Sequence, residues 1–68
     1  MAIEITVNGE ARTVLEGTTL LMLLEKLGLD PQVVAAQVND AIIPRMAHAT
    51  VVLEPGDTVE LVRFVGGG

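Results

Sequence analysis

Hydrophobic and polar residues alternate at the start of the chain. The hydrophobic members of this pattern occupy every second position: Ile3, Ile5 and Val7. A period of two is typical of a half-buried β-strand, which we place at residues 2–7. Asn8-Gly9 follows and is a strong hairpin signal, because both central positions of a type I′ turn need a positive φ angle. The pattern therefore predicts a β-hairpin whose return strand covers residues 11–15.

A second pattern, with the spacing of an α-helix, follows the hairpin. Its leucines lie at positions i, i+3, i+4 and i+7: Leu20, Leu23, Leu24 and Leu27. Thr18-Thr19 offers an N-cap, and Gly28 is placed to end the helix. These signals predict a helix over residues 19–27. Leu21 and Met22 lie beside the leucine stripe, so we expect them to be partly exposed extensions of it, with a partner contact as the alternative.

Short strand patterns fill the rest of the chain. Four further strands are predicted, over residues 34–38, 42–43, 51–53 and 58–65. Asn39-Asp40 tolerates the left-handed backbone of a tight turn between the first two of these strands. Pro44 cannot donate a backbone hydrogen bond, so the strand before it belongs at the edge of a sheet. The segment from Met46 to Ala49 is long enough for one helical turn.

The order of hairpin, helix and short strands predicts an α+β fold. One helix can cover only one face of a mixed sheet of four or five strands, with the later strands placed beside the first by a right-handed crossover. In the last strand Val59 and Leu61 share the face expected to be core. Val62 and Phe64 share the opposite face, and we predict that these two residues and Val65 contact a partner protein.

The composition limits the chemistry that the chain could carry. It has no cysteine and no serine, which argues against a thiolate metal site, a disulfide framework and a serine nucleophile. His48 is the only histidine, and the nearest acids, Asp40 and Glu54, are not at metal-ligand spacing. We therefore expect His48 to be a surface residue. A chain of 68 residues is also small for an active-site cavity, so we expect that it is not an enzyme.

Charge and hydropathy limit the partners and the location. The net charge of −5, with only four basic residues, argues against nucleic-acid binding, which needs a cationic patch. No apolar run is long enough to span a membrane, and the first residues lack the basic region of a signal peptide. The expected location is therefore the cytoplasm.

Three glycines end the sequence: Gly66, Gly67 and Gly68. We expect residues 1–65 to form the domain and residues 66–68 to form a tail that carries the α-carboxylate on Gly68. Glycine has no side chain, and three extended residues reach at most about 11 Å, which suits insertion of one carboxylate into a narrow cleft. Taken alone, the tail favours the interpretation as a frayed terminus.

Six pieces of the sequence, in order, carry a resemblance to a known family. They are Val7-Asn8-Gly9-Glu10, Thr19-Leu20 with Leu23-Leu24 and Leu27-Gly28, Val38-Asn39, Ile43-Pro44-Arg45, Gly56-Asp57, and the ending from Glu60 to Gly68. Together they make the chain resemble the ThiS family of ubiquitin-like β-grasp sulfur carriers from thiamin-thiazole biosynthesis. The chain departs from the family pattern at Arg63, where a histidine is common, and at Leu21-Met22, which replace a usually polar pair.

The resemblance implies a function for the tail. In this family an E1-like enzyme of the ThiF type uses ATP and Mg²⁺ to adenylate the terminal carboxylate, here that of Gly68. A persulfide donor then supplies the sulfur of a thiocarboxylate, which a ThiG-type thiazole synthase consumes. The carrier itself would bind no cofactor or metal. The alternatives are a MoaD-type carrier for molybdopterin, disfavoured by the lack of a proline near the tail, and a ubiquitin-like modifier or binding module without thiolation.

Overall fold

Residues 1–64, which the computed structural model describes, form a five-stranded sheet, one α-helix and two short 3₁₀ turns. The elements in chain order are β1 (Ala2–Val7), β2 (Glu10–Leu15), α1 (Leu20–Lys26), a 3₁₀ turn (Pro31–Val33), β3 (Val34–Val38), β4 (Ala41–Ile43), a second 3₁₀ turn (Arg45–Ala47) and β5 (Thr58–Arg63). The predicted Val65 and the three glycines lie outside the described residues. The hairpin, helix and edge-strand predictions are confirmed.

Two tight turns join the antiparallel pairs β1–β2 and β3–β4. Asn8 and Gly9 have φ angles of 49° and 83°, and Asn39 and Asp40 have φ angles of 51° and 70°. All four therefore lie in the left-handed region that a type I′ turn requires, which glycine, asparagine and aspartate tolerate best. Both turns are as the sequence predicted.

The strand order in the sheet is β2-β1-β5-β3-β4. The central strand is β5, which pairs in parallel with β1 and antiparallel with β3. The connection through α1 joins β2 to β3 across the β1–β5 pair, so that β5, a strand after the helix, lies beside β1 as the sequence predicts. Strand β4 lies at one edge and ends directly before Pro44, in agreement with the prediction.

The helix begins and ends where its capping residues dictate. Thr19 is the N-cap, and its side-chain oxygen accepts a hydrogen bond from the Met22 N–H at 3.1 Å. Leu27 is the C-cap, and Gly28 follows it with a φ of 72°, which glycine adopts without strain. Leu21 is half-buried and Met22 is exposed, as expected for residues beside the main stripe. No helix in residues 1–64 has the length and apolar character needed to cross a membrane.

The core lies between α1 and one face of the sheet. Its buried cluster contains only aliphatic side chains: Ile3, Ile5, Val7, Val14, Leu20, Leu23, Ala36, Val38, Leu53 and Val59. Alternate residues of each strand point away from this cluster and form the open face of the sheet. Burial of one sheet face under one helix is the β-grasp arrangement that the resemblance implied.

The prediction of a strand at residues 51–53 is wrong. Val52 makes only an isolated bridge with Thr19, and the segment does not join the sheet. Its peptide groups bind the chain that enters the helix: the Leu20 N–H donates to the Val51 carbonyl and the Leu53 N–H donates to the Thr18 carbonyl, both at 2.9 Å. Leu53 is buried, so the segment closes the core beside the helix.

The expectation that His48 is a surface residue is also wrong. Its side chain is only 2% exposed, and its Nε2 lies 3.3 Å from the carbonyl oxygen of Ile43. The Nδ1 atom is buried and has no hydrogen-bond partner among residues 1–64. The His48 carbonyl accepts a hydrogen bond from the Leu21 N–H at 2.9 Å, which fixes this residue against the first turn of α1. His48 is therefore part of the packing between β4 and the helix.

Candidate functional site

The sequence-predicted partner residues Val62 and Phe64 lie on the open face, at the end of β5 that leads into the glycines. They are 59% and 60% exposed, whereas Val59 on the opposite face is fully buried. The prediction of which face each residue occupies is therefore confirmed. Large exposed apolar side chains on the same sheet face are typical of protein-binding surfaces.

Strand β5 is hydrogen-bonded on its β3 side as far as Phe64. Its pairing with β3 runs from Val38↔Val59 to Val34↔Arg63. Beyond the strand, the Phe64 N–H donates to the Val33 carbonyl at 2.8 Å. The backbone next to the glycine segment is thus part of the hydrogen-bonded sheet.

The side chain of Asn8 extends the pairing on the other side of β5. Its Nδ2 donates to the Leu61 carbonyl at 3.2 Å, and its Oδ1 accepts from the Leu61 N–H at 2.8 Å. The ladder between β1 and β5 ends at Val7↔Val59, so the Asn8 amide takes the place of the next peptide group of β1. The presence of asparagine in the turn was the available signal for this role. From the sequence we predicted only the backbone conformation of Asn8 and not the hydrogen bonds of its side chain.

The asparagine of the second turn fixes the opposite end of β5. The Asn39 Oδ1 accepts from the Thr58 N–H and its Nδ2 donates to the Asp57 Oδ1, both at 2.9 Å. The second oxygen of Asp57 accepts from the Glu54 N–H at 2.8 Å. Both hairpin turns therefore use an asparagine side chain to hold the strand that carries Val62 and Phe64.

A depression lies beside the first residues of β3 and the segment that follows β4, and we call it the Ala35 notch. It is an open groove of about 400 Å³ whose lining includes the buried His48 and the residues Ala35, Ile42, Pro44, Arg45, Met46 and Phe64. Ala35 lies opposite Val62 in the β3–β5 register, so the notch adjoins the two predicted partner residues. The notch could not be predicted from the sequence, because its walls come from three separate segments of the chain.

The remaining predicted site residues are Val65, Gly66, Gly67 and Gly68, which lie outside the described residues. Within residues 1–64 no group of three or more His, Cys, Asp or Glu side chains is arranged to hold a metal ion. What the described part of the site offers is an apolar surface with Arg45 at its border, at the end of the sheet at which β5 ends. Such a surface can bind a protein.

Comparison with known proteins shows which family shares this sequence. The family model described as "ThiS family" matches residues 5–68. Over 65 residues the chain is 43% identical to a protein named thiazole synthase from Magnetococcus marinus and 38% identical to another of that name from Paramagnetospirillum magneticum. Each match covers 96% of this chain and 20% of the relative, so the chain spans about a fifth of the length of these relatives.

A solved structure shares both the sequence and the fold. The chain is 32% identical to the thiamine biosynthesis protein ThiS from Geobacter metallireducens, whose crystal structure superimposes with a TM-score of 0.83. The similarity covers 97% of this chain and 100% of that protein. The match confirms the β-grasp fold. Together with the family match over residues 5–68, it shows that the chain belongs to the ThiS family.

Proposed function

We propose that the chain is a sulfur carrier of thiamin-thiazole biosynthesis and that its reactive group is the carboxylate of Gly68. The observation that carries this proposal is the ThiS family match, which runs through the glycines to residue 68. The fold supports it, because the backbone remains hydrogen-bonded to the sheet as far as Phe64, two positions before Gly66 in the sequence. The chain would act as the substrate of an activating enzyme and would bind no cofactor itself.

The proposed chemistry starts from an unreactive group. A C-terminal carboxylate is an anion at neutral pH and a poor electrophile, so it needs activation. In the proposed first step a ThiF-type enzyme with Mg²⁺ joins the Gly68 carboxylate to the α-phosphate of ATP, and pyrophosphate leaves. A thiol reductant then releases hydrosulfide from a persulfide and is itself converted to a disulfide. The hydrosulfide attacks the carbonyl carbon and AMP leaves, which gives the thiocarboxylate. Exclusion of water by the partner would protect the adenylate from hydrolysis.

The glycines suit this chemistry because they lack side chains. A cleft that closes around bare backbone can place the carboxylate deep inside the partner, within the reach of about 11 Å that three extended residues allow. We further propose that Val62 and Phe64, with Val65, form the docking surface for the activating enzyme. Both described residues are exposed, and they lie on the face opposite the core.

The proposed acceptor of the sulfur is a ThiG-type thiazole synthase. Two proteins named thiazole synthase contain a stretch that is similar to nearly all of this chain. A carrier and a synthase within one polypeptide are consistent with successive steps of one reaction. We therefore propose that this chain delivers its thiocarboxylate to such a synthase.

The test is to incubate the chain with a ThiF-type enzyme, ATP, Mg²⁺ and a persulfide source, and to measure its intact mass. We expect a species in which one oxygen is replaced by sulfur, localised to Gly68 by fragmentation. Localisation is needed because methionine sulfoxide at Met1, Met22 or Met46 gives nearly the same mass change. Reactions without ATP are the control. Isopeptide adducts without any thiocarboxylate would instead identify a ubiquitin-like modifier and would overturn the proposal.

A further inference from the structure

The exposed apolar side chains of the protein are concentrated at one end of the open face. Eight large hydrophobic residues are exposed among residues 1–64, and four of them line or flank the Ala35 notch: Ile42, Met46, Val62 and Phe64. Ile42 and Met46 are 75% and 93% exposed. Single exposed hydrophobics are ordinary, but a group of them around a depression is typical of a binding surface.

The depression lies where β3 extends beyond the edge strand, since β4 ends opposite Ala36 and leaves Ala35 without a partner in that strand. Ala35 is on β3, between β5 and the edge strand β4, and Val62 is opposite it. Strand β4 ends at Ile43, and Pro44 directs the chain into the 3₁₀ turn that carries Met46. Phe64, Met46 and Ala35 all line the space at this end of the sheet.

The border of the notch carries a positive charge on an otherwise acidic protein. Arg45 lines the notch and is exposed, whereas the whole chain has a net charge of −5 and four basic residues. Strands β4 and β5 both run antiparallel to β3, so Arg45 and Phe64, which follow them, are at the same end of the sheet. Arg45 is thus at the end of the sheet at which β5 ends.

We propose that the Ala35 notch binds one large apolar side chain of a protein partner, together with a carboxylate that pairs with Arg45. The apolar walls supply the hydrophobic contact, and Met46 adapts its shape to the entering group. The guanidinium of Arg45 supplies the polar contact, since its planar donors match the two oxygens of a carboxylate. This inference rests on the proposed function in that the partner is an enzyme that handles the Gly68 carboxylate.

The chemistry of the notch can be tested without any sulfur transfer. The ¹⁵N-labelled chain is titrated with 3-phenylpropionate, which carries an aromatic ring and a carboxylate, and with the neutral 3-phenylpropanamide. We expect millimolar binding with amide shifts centred on Ala35, Arg45 and Phe64, and an affinity about threefold lower for the amide. Shifts spread over the whole open face, or no shifts, would overturn the proposal.

Matched variants then separate the notch from the rest of the surface. Ala35→Leu fills the notch and should abolish binding of 3-phenylpropionate. Ala11→Leu makes the same change on the open face of the distant edge strand β2, so it should leave binding unchanged. Arg45→Gln should lower the affinity for 3-phenylpropionate about threefold, whereas Arg12→Gln on β2 should not. Equal effects in both members of either pair would contradict the assignment.

The partner role is tested with the same four variants in the thiocarboxylate assay. We expect Ala35→Leu to raise the KM for the carrier about tenfold with little change in kcat, because docking and not the reacting carboxylate is affected. Unchanged KM in both notch variants would overturn the inference and leave the sulfur-carrier function intact.

If the parent chain is not thiolated at all, the proposed function fails, while the titration with 3-phenylpropionate still tests whether the notch binds such a group. A parent chain that dimerises through the notch would show that a second copy is the occupant, and the inference would be wrong.

Discussion

The amide group of Asn8 forms two hydrogen bonds with the backbone of Leu61, which is 53 residues away in the sequence. One residue of the first turn is thus bound to the central strand, three residues before Phe64. The Asn8 side chain forms the hydrogen bonds that a peptide group of β1 would otherwise form with β5, because the β1–β5 pairing ends at Val7. This contact links the geometry of the hairpin turn to the strand that leads into the glycines.

Replacement of Asn8 by aspartate should weaken this contact while keeping the turn. Aspartate tolerates the positive φ angle of Asn8, but it cannot donate a hydrogen bond to the Leu61 carbonyl. We expect the free energy of unfolding to fall by about 1 kcal/mol and the Leu61 amide to exchange faster with solvent. Thermal unfolding and hydrogen exchange measure the two effects. Asp40→Asn, a swap at another positive φ angle, is the control and should stay within about 0.5 kcal/mol of the parent.

Truncation of the leucine stripe should cost much of the stability. Leu23 and Leu24 are almost fully buried, so Leu23→Ala or Leu24→Ala leaves a cavity and should lower the free energy of unfolding by about 2–5 kcal/mol. Denaturant titration provides the measurement. Met22→Ala changes an exposed residue on the same helix and should cost less than about 1 kcal/mol. Equal losses for buried and exposed positions would show that the helix face has been assigned incorrectly.

Truncation of the exposed aromatic residue should separate binding from stability. Phe64 lies outside the core, so Phe64→Ala should change the free energy of unfolding by less than about 1 kcal/mol. If it is a docking residue, the affinity for the ThiF-type enzyme should fall by about 1–2 kcal/mol. Leu15→Ala is the matched control, because Leu15 is an exposed residue of the edge strand β2. This variant should bind the ThiF-type enzyme with the affinity of the parent chain. A large stability loss with normal affinity would contradict the proposed role of Phe64.

Changes in the glycine segment should affect the reaction and not the fold, because the described core lies within residues 1–64. Deletion of Gly68 moves the carboxylate back by up to about 3.6 Å, and misplacement by about 1 Å can already cost about a hundredfold in rate. We therefore expect the deletion to abolish thiocarboxylate formation. Gly67→Ala should slow adenylation, because a Cβ enters a site that we propose closes around bare backbone.

Intact mass and unfolding measurements report the two properties of these tail variants separately. The parent chain with one added glycine is a useful control, since it misplaces the carboxylate in the opposite direction. A deletion variant that is thiolated as fast as the parent would show that the carboxylate at Gly68 is not a positioned substrate.

Local sequence signals were sufficient for the hairpins and the helix. The turn pairs Asn8-Gly9 and Asn39-Asp40 and the cap residue Thr19 each determine the backbone around them, so these elements could be predicted. The alternation in the last strand also identified the exposed side of Phe64. Each of these predictions depends on residues that are close together in the sequence.

The features that were missed depend on contacts between distant segments. The apolar residues Val51 to Leu53 have the composition of a strand, but their hydrogen-bond partners are the residues before α1. The burial of His48 depends on β4 and the helix, and no count of possible metal ligands could reveal it. The Ala35 notch likewise requires three segments to meet. The hydrophobic periodicity of a strand or a helix, two or 3.6 residues, carries no information about contacts between distant segments.

The central position of β5 has a consequence for how the protein folds. Among the five strands of residues 1–64, β5 is synthesised after the other four, and β1 and β3 cannot complete their pairing before it is made. Pairing across more than fifty residues carries the entropy cost of closing a long loop, which slows folding compared with the local hairpins. A truncated product that ends before β5 would keep two unpaired strand edges and remain a target for proteolysis. Under the proposed function, only a chain with all five strands in place would carry the glycine segment to an activating enzyme.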